Sequence, residues 1–414
     1  MKSAVLVAVG DELLSGIRRE GNCAFLARLL HDAGWTVECV EIVPDDLPRV
    51  VDVLDRWVGK AGLLVMSGGL GPTHDDKTRW ALAEYLGCGL AVDDALYDRV
   101  AARYRGTDRE TLVERSRSTQ GLVPNAAQGV YNPAGSALGV YFEKSGTKVW
   151  SFPGVPSEFE AMTRQELTPL LTRERDGSFA WGSAAVAGVP ESVLVGRVPE
   201  IVADSRLHIS VLPSFGLVEF VVRGEPELVD ASLRTLRERF EGDVLPEGCA
   251  TLPQAILKTG VEKGLTLSCA ESCTGGLVGA ALTEVPGSSG VFMGSAVVYS
   301  NAAKGKLLSV DRMVLEEKGA VSRECAEAMA EGARALYGTS VAVAVTGIAG
   351  PGGASVSEKP DKSVGTVWFA VASLIDGGVE CRSFMRKLGE ERALVRERAV
   401  RTALAAVWRR MKEM

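Results

Sequence analysis

Two glycine-rich motifs hold the residues best suited to chemistry, and each lies between an apolar run and a helical pattern. The motif in the C-terminal half reads Ala270-Glu271-Ser272-Cys273-Thr274-Gly275-Gly276. A serine at a strand-to-helix turn can act as a nucleophile, while N–H groups at the helix N-terminus bind an oxyanion. Two alternatives stay open: Cys273 competes as the nucleophile, or the Ser and Thr side chains only cap a helix.

The identity of the base narrows the chemistry of this motif. The histidines are His31, His74 and His208, so residues 209–414 contain none and cannot supply a Ser-His or Cys-His pair. A lysine with a lowered pKa is the remaining type of base. Lys304 fits this role, because it closes the stretch Tyr299-Ser300-Asn301-Ala302-Ala303-Lys304 directly after an apolar run. A second glycine-rich loop, Thr346 to Gly353, offers further N–H groups to an anion.

The N-terminal motif combines glycines, which leave the backbone N–H groups accessible, with carboxylates. It runs Ser67-Gly68-Gly69-Leu70-Gly71-Pro72-Thr73-His74-Asp75-Asp76-Lys77-Thr78. The three glycines allow close approach of an anion, and Asp75 and Asp76 are hard oxygen ligands of the kind that Mg²⁺ prefers. An alternative is that Thr73 and Asp76 form a capping box. Asp11 and Glu12 follow the first apolar run and suit either a cation or a simple turn.

Two further loops belong with the N-terminal motif, although each alone is an ordinary turn sequence. One extends from Asn132 to Gly139, and the other reads Pro153-Gly154-Val155-Pro156-Ser157-Glu158. Since ligands of parallel α/β sheets bind outside the carboxyl ends of the strands, we expect these loops to face one site.

Alternation of strand and helix patterns predicts the elements that position these motifs. Apolar strands at Ser3–Val9, 36–43 and 63–66 alternate with helices, which indicates an α/β domain with a parallel sheet over residues 1–172. A small α+β module is expected at 173–248, followed by a second α/β domain at 249–414. In the latter we predict a strand at 265–269 ahead of the Ser272 turn.

Composition excludes several classes of protein. The chain has 414 residues, 46% of them hydrophobic, and a net charge of −7, so disorder and a broad nucleic-acid footprint are not expected. Eight scattered cysteines without a CxxC pair indicate reduced thiols and a cytoplasmic location. We expect no membrane segment. The 46 glycines exceed the usual share and concentrate in the motifs above.

The N-terminal motifs resemble those of the competence/damage-inducible protein A (CinA) family, with its molybdopterin-binding-type domain, over residues 4–172. The resemblance implies metal-dependent hydrolysis of the ADP-ribose pyrophosphate by this domain. It assigns a divalent metal such as Mg²⁺ to Asp11, Glu12, Asp75 and Asp76. It assigns ligand binding to Asn22, Gly68, Gly69, Gly71, Asn132 and Glu158. The module at 180–242 resembles the family's KH-type linker, and we interpret it as a connector because it lacks a GXXG loop.

The C-terminal motifs resemble the CinA C-terminal domain over residues 252–410. The resemblance implies hydrolysis of nicotinamide mononucleotide to nicotinic acid mononucleotide and ammonia, with no cofactor in this domain. Ser272 would be the nucleophile and Lys304 the base, with Tyr299 and Thr346 lining the site. The remaining substrate contacts would come from Cys273, Thr274, Gly275, Gly347 and Arg392, the last as a phosphate clamp.

These assignments predict a bifunctional pyridine-nucleotide salvage enzyme that forms a homodimer. Two alternatives remain. The N-terminal domain is a non-catalytic module that binds a pterin or nucleotide, or the chain acts mainly as an interaction protein in competence or DNA repair.

Overall fold

The chain divides into two compact units, Met1–Phe179 and Ala180–Met414. A computed structural model describes residues 2–174, 179–350 and 362–414. Across those residues, no helix is long and apolar enough to cross a membrane.

A six-stranded sheet forms the centre of the first unit, in the order β2-β1-β3-β8-β7-β6, beside a separate β4-β5 pair. β2, β1, β3 and β8 run parallel, as predicted, while β7 and β6 extend the edge in antiparallel fashion. The strands are β1 (Ser3–Val9), β2 (Thr36–Val43), β3 (Leu63–Ser67), β4 (Leu90–Val92), β5 (Leu122–Pro124), β6 (Gln128–Val130), β7 (Gly139–Lys144) and β8 (Thr147–Phe152).

Helices cover both faces of this sheet. The helical elements are α1 (Asp11–Leu14), α2 (Asn22–Asp32), α3 (Leu47–Trp57), α4 (Thr78–Leu86), α5 (Asp94–Ala102), α6 (Glu110–Arg115), α7 (Arg117–Gln120), α8 (Pro156–Met162), a π-helical segment (Thr163–Leu167) and α9 (Thr168–Arg173). Along β1, Ala4, Leu6 and Ala8 pack toward α2 and α8, and the alternate valines pack toward α3 and α4. A strand buried on both faces reads as a continuous apolar run, which explains why it was predictable.

The second unit begins with a three-stranded antiparallel sheet in the order β10-β11-β9. Its elements are β9 (Ala180–Ala187), α10 (Glu191–Arg197), α11 (Pro199–Val202), β10 (His208–Ser214), β11 (Leu217–Gly224) and α12 (Pro226–Arg239). Val218, Phe220 and Val222 alternate toward the helices and bury the core of this module.

A five-stranded mixed sheet completes the second unit, in the order β13-β12-β14-β15-β16, with the first three strands parallel. Its elements are α13 (Leu252–Lys263), β12 (Leu267–Glu271), α14 (Leu277–Thr283), a 3₁₀ turn (Ser288–Gly290), β13 (Phe292–Val297), α15 (Asn301–Leu308), α16 (Arg312–Glu317), α17 (Arg323–Tyr337), β14 (Val341–Gly347), β15 (Thr366–Ile375), β16 (Gly378–Lys387) and α18 (Arg392–Glu413).

Helices again lie on both faces, with α13 and α18 on one and α15 and α17 on the other. The α/β fold class predicted from the sequence is therefore confirmed. The predicted strand at 265–269 is displaced, because β12 spans Leu267–Glu271 and ends one residue before Ser272. That shift turns Glu271 into a strand residue and leaves Ser272 as the first residue of the turn.

Candidate functional site

The Ser272 turn and Lys304 meet at the carboxyl end of β12. The Nζ atom of Lys304 lies 3.2 Å from Ser272 Oγ and donates to the carbonyls of Val298, at 2.8 Å, and Tyr299, at 3.4 Å. Lys304 is only 1% exposed, and Ser272 is 8% exposed. Burial holds the amine beside the hydroxyl, so the pair has the spacing that proton transfer from serine to lysine requires.

The local sequence explains how Lys304 reaches this position. Ser300 caps α15, since its hydroxyl accepts the N–H of Ala303, and Lys304 occupies the first turn of that helix. The preceding segment is tied to the sheet by the N–H of Val298, which donates to the Glu271 carbonyl at 2.8 Å.

Backbone groups of the Ser272 turn supply possible oxyanion donors. The Ser272 N–H bonds to Val345 O and the Gly275 N–H to Ser272 O. By contrast, the N–H groups of Cys273 and Thr274 have no backbone acceptor within the described part of the chain. Gly275 and Gly276 adopt φ values of +64° and +97°, which lets the chain turn directly into α14.

The Cys273 thiol is poorly suited to act as the nucleophile. Burial raises the pKa of Cys273 to about 11, against smaller lowering effects of Lys304 and Arg396. A thiol with such a pKa remains protonated near neutral pH, whereas the attacking species is the thiolate.

Four other predicted residues lie on segments next to the pair, and their own contacts differ. Thr346 is buried and its hydroxyl donates to Ala320 O at 2.7 Å, so it joins β14 to the 319–322 segment. Tyr299 is exposed, and its hydroxyl lies 3.5 Å from an Nη atom of Arg392. Gly347 ends β14 in register with Val367. The second glycine-rich loop, predicted from Thr346 to Gly353, lies outside the described residues from 351 onward, as does the rest of the segment to 361.

Two side chains that the sequence analysis did not assign support the turn. Arg396, one helical turn after Arg392 on α18, donates to the carbonyls of Cys273 at 3.2 Å and Thr274 at 3.1 Å. The fully buried Glu271 carboxylate accepts the N–H groups of Gly276, Val278 and Gly279 at 2.9–3.0 Å and the Ser295 hydroxyl at 2.8 Å. A carboxylate at a helix N-terminus stabilises the free N–H groups found there.

Replacing Glu271 with alanine is expected to lower the free energy of unfolding of the second unit by at least about 3 kcal/mol, because several buried donors lose their acceptor. Glu271→Gln should recover part of this loss. The control Glu284→Ala, at the exposed end of α14, should change stability by less than about 0.5 kcal/mol. Urea unfolding combined with amide exchange of residues 272–283 measures both effects. An unchanged stability in Glu271→Ala would contradict this structural role.

In the first unit, the glycine-rich motif forms a tight turn after β3. Gly68 has φ +109°, and a Cβ there would come within 2.2 Å of Val9 O. Thr78 begins α4, and its hydroxyl donates to Gly68 O at 3.0 Å. The capping-box interpretation of Thr73 and Asp76 is wrong: Lys77 is the N-cap residue, and Asp76 instead accepts the N–H and hydroxyl of Thr73 within the preceding loop.

Asn22 and Asn132 hold the N-terminal loops to one another. Asn22 donates to Ser67 Oγ at 2.8 Å and Gly154 O at 2.9 Å. Asn132 is fully buried, donates to Ala137 O and Glu158 Oε2, and accepts from the N–H groups at 134 and 135. Burial raises the pKa of Glu158, against the lowering effect of its Asn132 bond. Both asparagines therefore position loops in this structure.

Arg79 is a buried side chain that supports the loops of the first unit, and the sequence analysis did not assign it a role. Its guanidinium donates to the carbonyls of Leu70, Leu122 and Leu138, which joins the Gly71 loop to two other segments. Burial lowers the pKa of Arg79 to about 10.

Three of the four carboxylates proposed for metal binding act through their charge on Asp45, a residue that the sequence analysis did not include. Asp45 accepts the N–H of Asp11 at 3.1 Å. Burial raises the pKa of Asp45, and the negative charges of Asp11, Glu12 and Asp76 raise it further. Asp75 points elsewhere, since it is exposed and 3.2 Å from His74 Nδ1. Their oxygens suit Mg²⁺ chemically, although no group of three or more His, Cys, Asp or Glu in the described residues is arranged to hold a metal ion.

Comparison with known proteins defines the class of this chain. Residues 5–173 match the family model described as "Probable molybdopterin binding domain", and residues 250–411 match the CinA C-terminal domain. A CinA-like protein of Chlorobium luteolum is 38% identical over 389 residues, covering 90% of this chain and 88% of the relative. A CinA-like protein of Chlorobaculum tepidum is 35% identical and covers 99% of both chains.

The protein is thus a mixed α/β protein that joins a molybdopterin-binding-type domain to a CinA C-terminal domain. It belongs to the CinA family of competence/damage-inducible proteins, as its motifs indicated. Among solved structures, a competence/damage-inducible protein of Agrobacterium tumefaciens is 44% identical, with 38% of this chain and 91% of that chain covered and a TM-score of 0.35.

Proposed function

We propose that the C-terminal domain hydrolyses the carboxamide of nicotinamide mononucleotide to nicotinic acid mononucleotide and ammonia. The observation that carries the proposal is the buried Lys304 Nζ at 3.2 Å from Ser272 Oγ, beside N–H groups at the start of α14. Neither histidine nor thiolate chemistry competes there, because residues 209–414 contain no histidine and the Cys273 thiol stays protonated.

In the proposed reaction, the uncharged Lys304 amine takes the Ser272 proton as Oγ attacks the carboxamide carbon. The N–H groups of Cys273 and Thr274 bind the oxyanion of the tetrahedral intermediate. Lys304 then returns the proton to the leaving nitrogen, and ammonia departs as the C–N bond breaks. Water attacks the resulting acyl-serine with Lys304 again as the base, which releases the nicotinate carboxylate and restores Ser272.

Arg392 and Tyr299 provide the polar edge at which the substrate phosphate would bind. An arginine fork pairs well with phosphate oxygens, and its contact to the Tyr299 hydroxyl orients it. The direct test is release of ammonia and nicotinic acid mononucleotide by the purified full chain. Nicotinamide riboside, which lacks the phosphate, is the matched poor substrate. Equal turnover of both compounds would contradict the assignment of Arg392 and Tyr299 to the substrate phosphate.

We propose ADP-ribose pyrophosphate hydrolysis with a divalent metal for the N-terminal domain. The supporting observation is that Asp45 accepts the N–H of Asp11 and feels the negative charges of Asp11, Glu12 and Asp76, at the end of the sheet where the Gly68 turn lies. Asp11, Glu12 and Asp76 would hold the ion after their carboxylates move together, since the described residues do not place three such groups at one point, and the ion would neutralise charge on the pyrophosphate. Asp75, in its exposed position, would act in this set only after a movement of the loop.

ADP-ribose cleavage to AMP and ribose 5-phosphate is expected only with added Mg²⁺ or a similar ion and should stop in excess chelator. Asp76→Asn should reduce the rate by at least about 10²-fold, since it removes a charged ligand. Asp108→Asn, an exposed acidic residue of the same unit, is the control. Cleavage that continues in excess chelator would refute metal dependence. Binding without any product would favour the non-catalytic alternative.

A homodimer and a cytoplasmic location remain proposals. Sedimentation velocity of the full chain tests the first, and cell fractionation tests the second.

A further inference from the structure

A cavity rich in arginine lies within the second unit, away from Ser272. Its volume is about 580 Å³, which is within the range of small-molecule sites. One side comes from the three-stranded module at Gly188 and Phe215, and the other from β15, β16 and α18. Five arginines line it, namely Arg382, Arg386, Arg401, Arg409 and Arg410.

Three of these guanidinium groups are already neutralised. Arg410 is 5% exposed and donates to Ser373 Oγ at 2.7 Å, to Glu413 and to Glu380. Arg382 shares the same two glutamates. Arg401 pairs with Glu397 at 2.8 Å. These ion pairs hold three of the five arginines, and Arg386 and Arg409 take no part in them.

Arg386 and Arg409 carry charge that the described residues do not balance by an ion pair. The Arg386 guanidinium contacts Met385 O at 3.1 Å and lies 5.1 Å from the centroid of the Phe384 ring. Arg409 donates to Ala187 O at 3.5 Å. In a chain of net charge −7, two such guanidinium groups in one cavity indicate an anionic ligand.

The other part of the lining is apolar and aromatic. Phe384 stacks on Phe369, with ring centroids 5.1 Å apart and planes 16° from parallel, and Phe215 is 40% exposed. Ala405 and Ala406 of α18 complete this side. Aromatic faces of this kind stack on nucleobases, and arginine forks match phosphate oxygens.

We propose that this cavity binds a nucleoside phosphate, with its phosphates at Arg386 and Arg409 and its base against Phe215 and Phe384. The site is separate from the one proposed for nicotinamide mononucleotide. Arg392 and Arg409 lie on the same helix, and 17 residues of helix separate them by about 25 Å. The ligand would connect the small module to the sheet domain, because both contribute to the cavity.

Photolabelling with 8-azido-ADP tests this site in the full chain. Saturating nicotinamide mononucleotide and ADP-ribose are added to occupy the two proposed catalytic sites, and adducts are mapped by peptide mass spectrometry. We expect adducts in peptides that contain Phe215 or Phe384. The double variant Arg386→Ala/Arg409→Ala should reduce their yield at least about tenfold, as expected on loss of charged hydrogen-bond partners.

Four controls separate specific binding in this cavity from other causes of labelling. Arg206→Ala removes an exposed arginine of the same unit that pairs with Asp204, and its labelling should equal that of the wild type. The variant Arg386→Lys/Arg409→Lys keeps both charges and should be labelled at an intermediate level. It takes the place of the alanine variant in the test if the alanine variant fails to fold. Inorganic phosphate should compete with labelling, and 8-azidoadenosine should not label.

Undiminished labelling in the folded double variant, or adducts only outside this cavity, would overturn the proposal. Equal labelling by 8-azidoadenosine would also overturn it, because phosphate would then not be recognised. Preferential binding of a single-stranded oligonucleotide over ADP would overturn the assignment to a small ligand.

Discussion

Ser272→Ala is expected to reduce ammonia release from nicotinamide mononucleotide by at least about 10³-fold, because it removes the nucleophile that forms the acyl intermediate. The change takes away one hydroxyl at a site where the backbone is fixed by the Ser272 N–H bond to Val345 O, so the fold should persist. The measurement is steady-state ammonia release, with substrate affinity determined by calorimetry. Affinity should change far less than the rate.

Two comparisons isolate the role of the Ser272 hydroxyl. Ser383→Ala removes a serine of β16 that bonds to Glu327, and it should retain the wild-type rate. Cys273→Ala keeps the backbone N–H while removing the thiol, and it should retain most of the rate, because the pKa of Cys273 is about 11. A loss in Cys273→Ala as large as that in Ser272→Ala would reassign the nucleophile to the thiol.

Lys304→Met should lower the same rate by about 10²–10⁴-fold, the usual range for removal of a general base. Methionine has a similar length and suits a site that is 1% exposed, so it tests the amine with little change of packing. Lys304→Arg should not restore the rate, because guanidinium does not lose its proton in this pH range. Between pH 6 and 10, the rate of the wild type should rise with pH, as expected for catalysis by a base. The rate of Lys304→Met should not show this rise.

Lys306→Met is the matched control, two residues further along α15 and exposed. It should leave both the rate and its pH profile unchanged. Thermal unfolding of Lys304→Met distinguishes lost chemistry from lost folding. An active Lys304→Met with an unchanged pH profile would contradict the assigned base.

Much of the fold was predictable because buried parallel strands leave an unmistakable pattern. The β1 run is apolar at every position from Ala4 to Val9, since both of its faces are covered there. Less predictable were the elements whose form depends on distant partners. The β6 and β7 strands pair antiparallel at the sheet edge, and residues 94–120 contain three short helices, α5, α6 and α7. Short segments such as these have too few residues for periodicity to show.

The Ser272 and Lys304 juxtaposition followed from sequence because Ser272 comes directly after β12 and Lys304 lies in the first turn of the helix that follows the neighbouring strand β13. The side chains that support the candidate sites could not be predicted from the sequence. Glu271 was part of a recognised motif, but its burial against four donors depends on the end of β12 lying two residues later than expected. Arg79 resembled any helical arginine until the loops carrying its three carbonyl acceptors were placed around it.

Helix α18 has a consequence for the synthesis of the protein. It supplies Val395, Leu404 and Trp408 to a core that also contains Ala185 and Leu245 of the small module. That core is incomplete until α18 has emerged from the ribosome. At about 5–20 residues per second, the first unit emerges on the order of 10–50 s earlier, so it can fold while the second still exposes apolar surface. The nascent second unit is therefore the part most in need of chaperone protection.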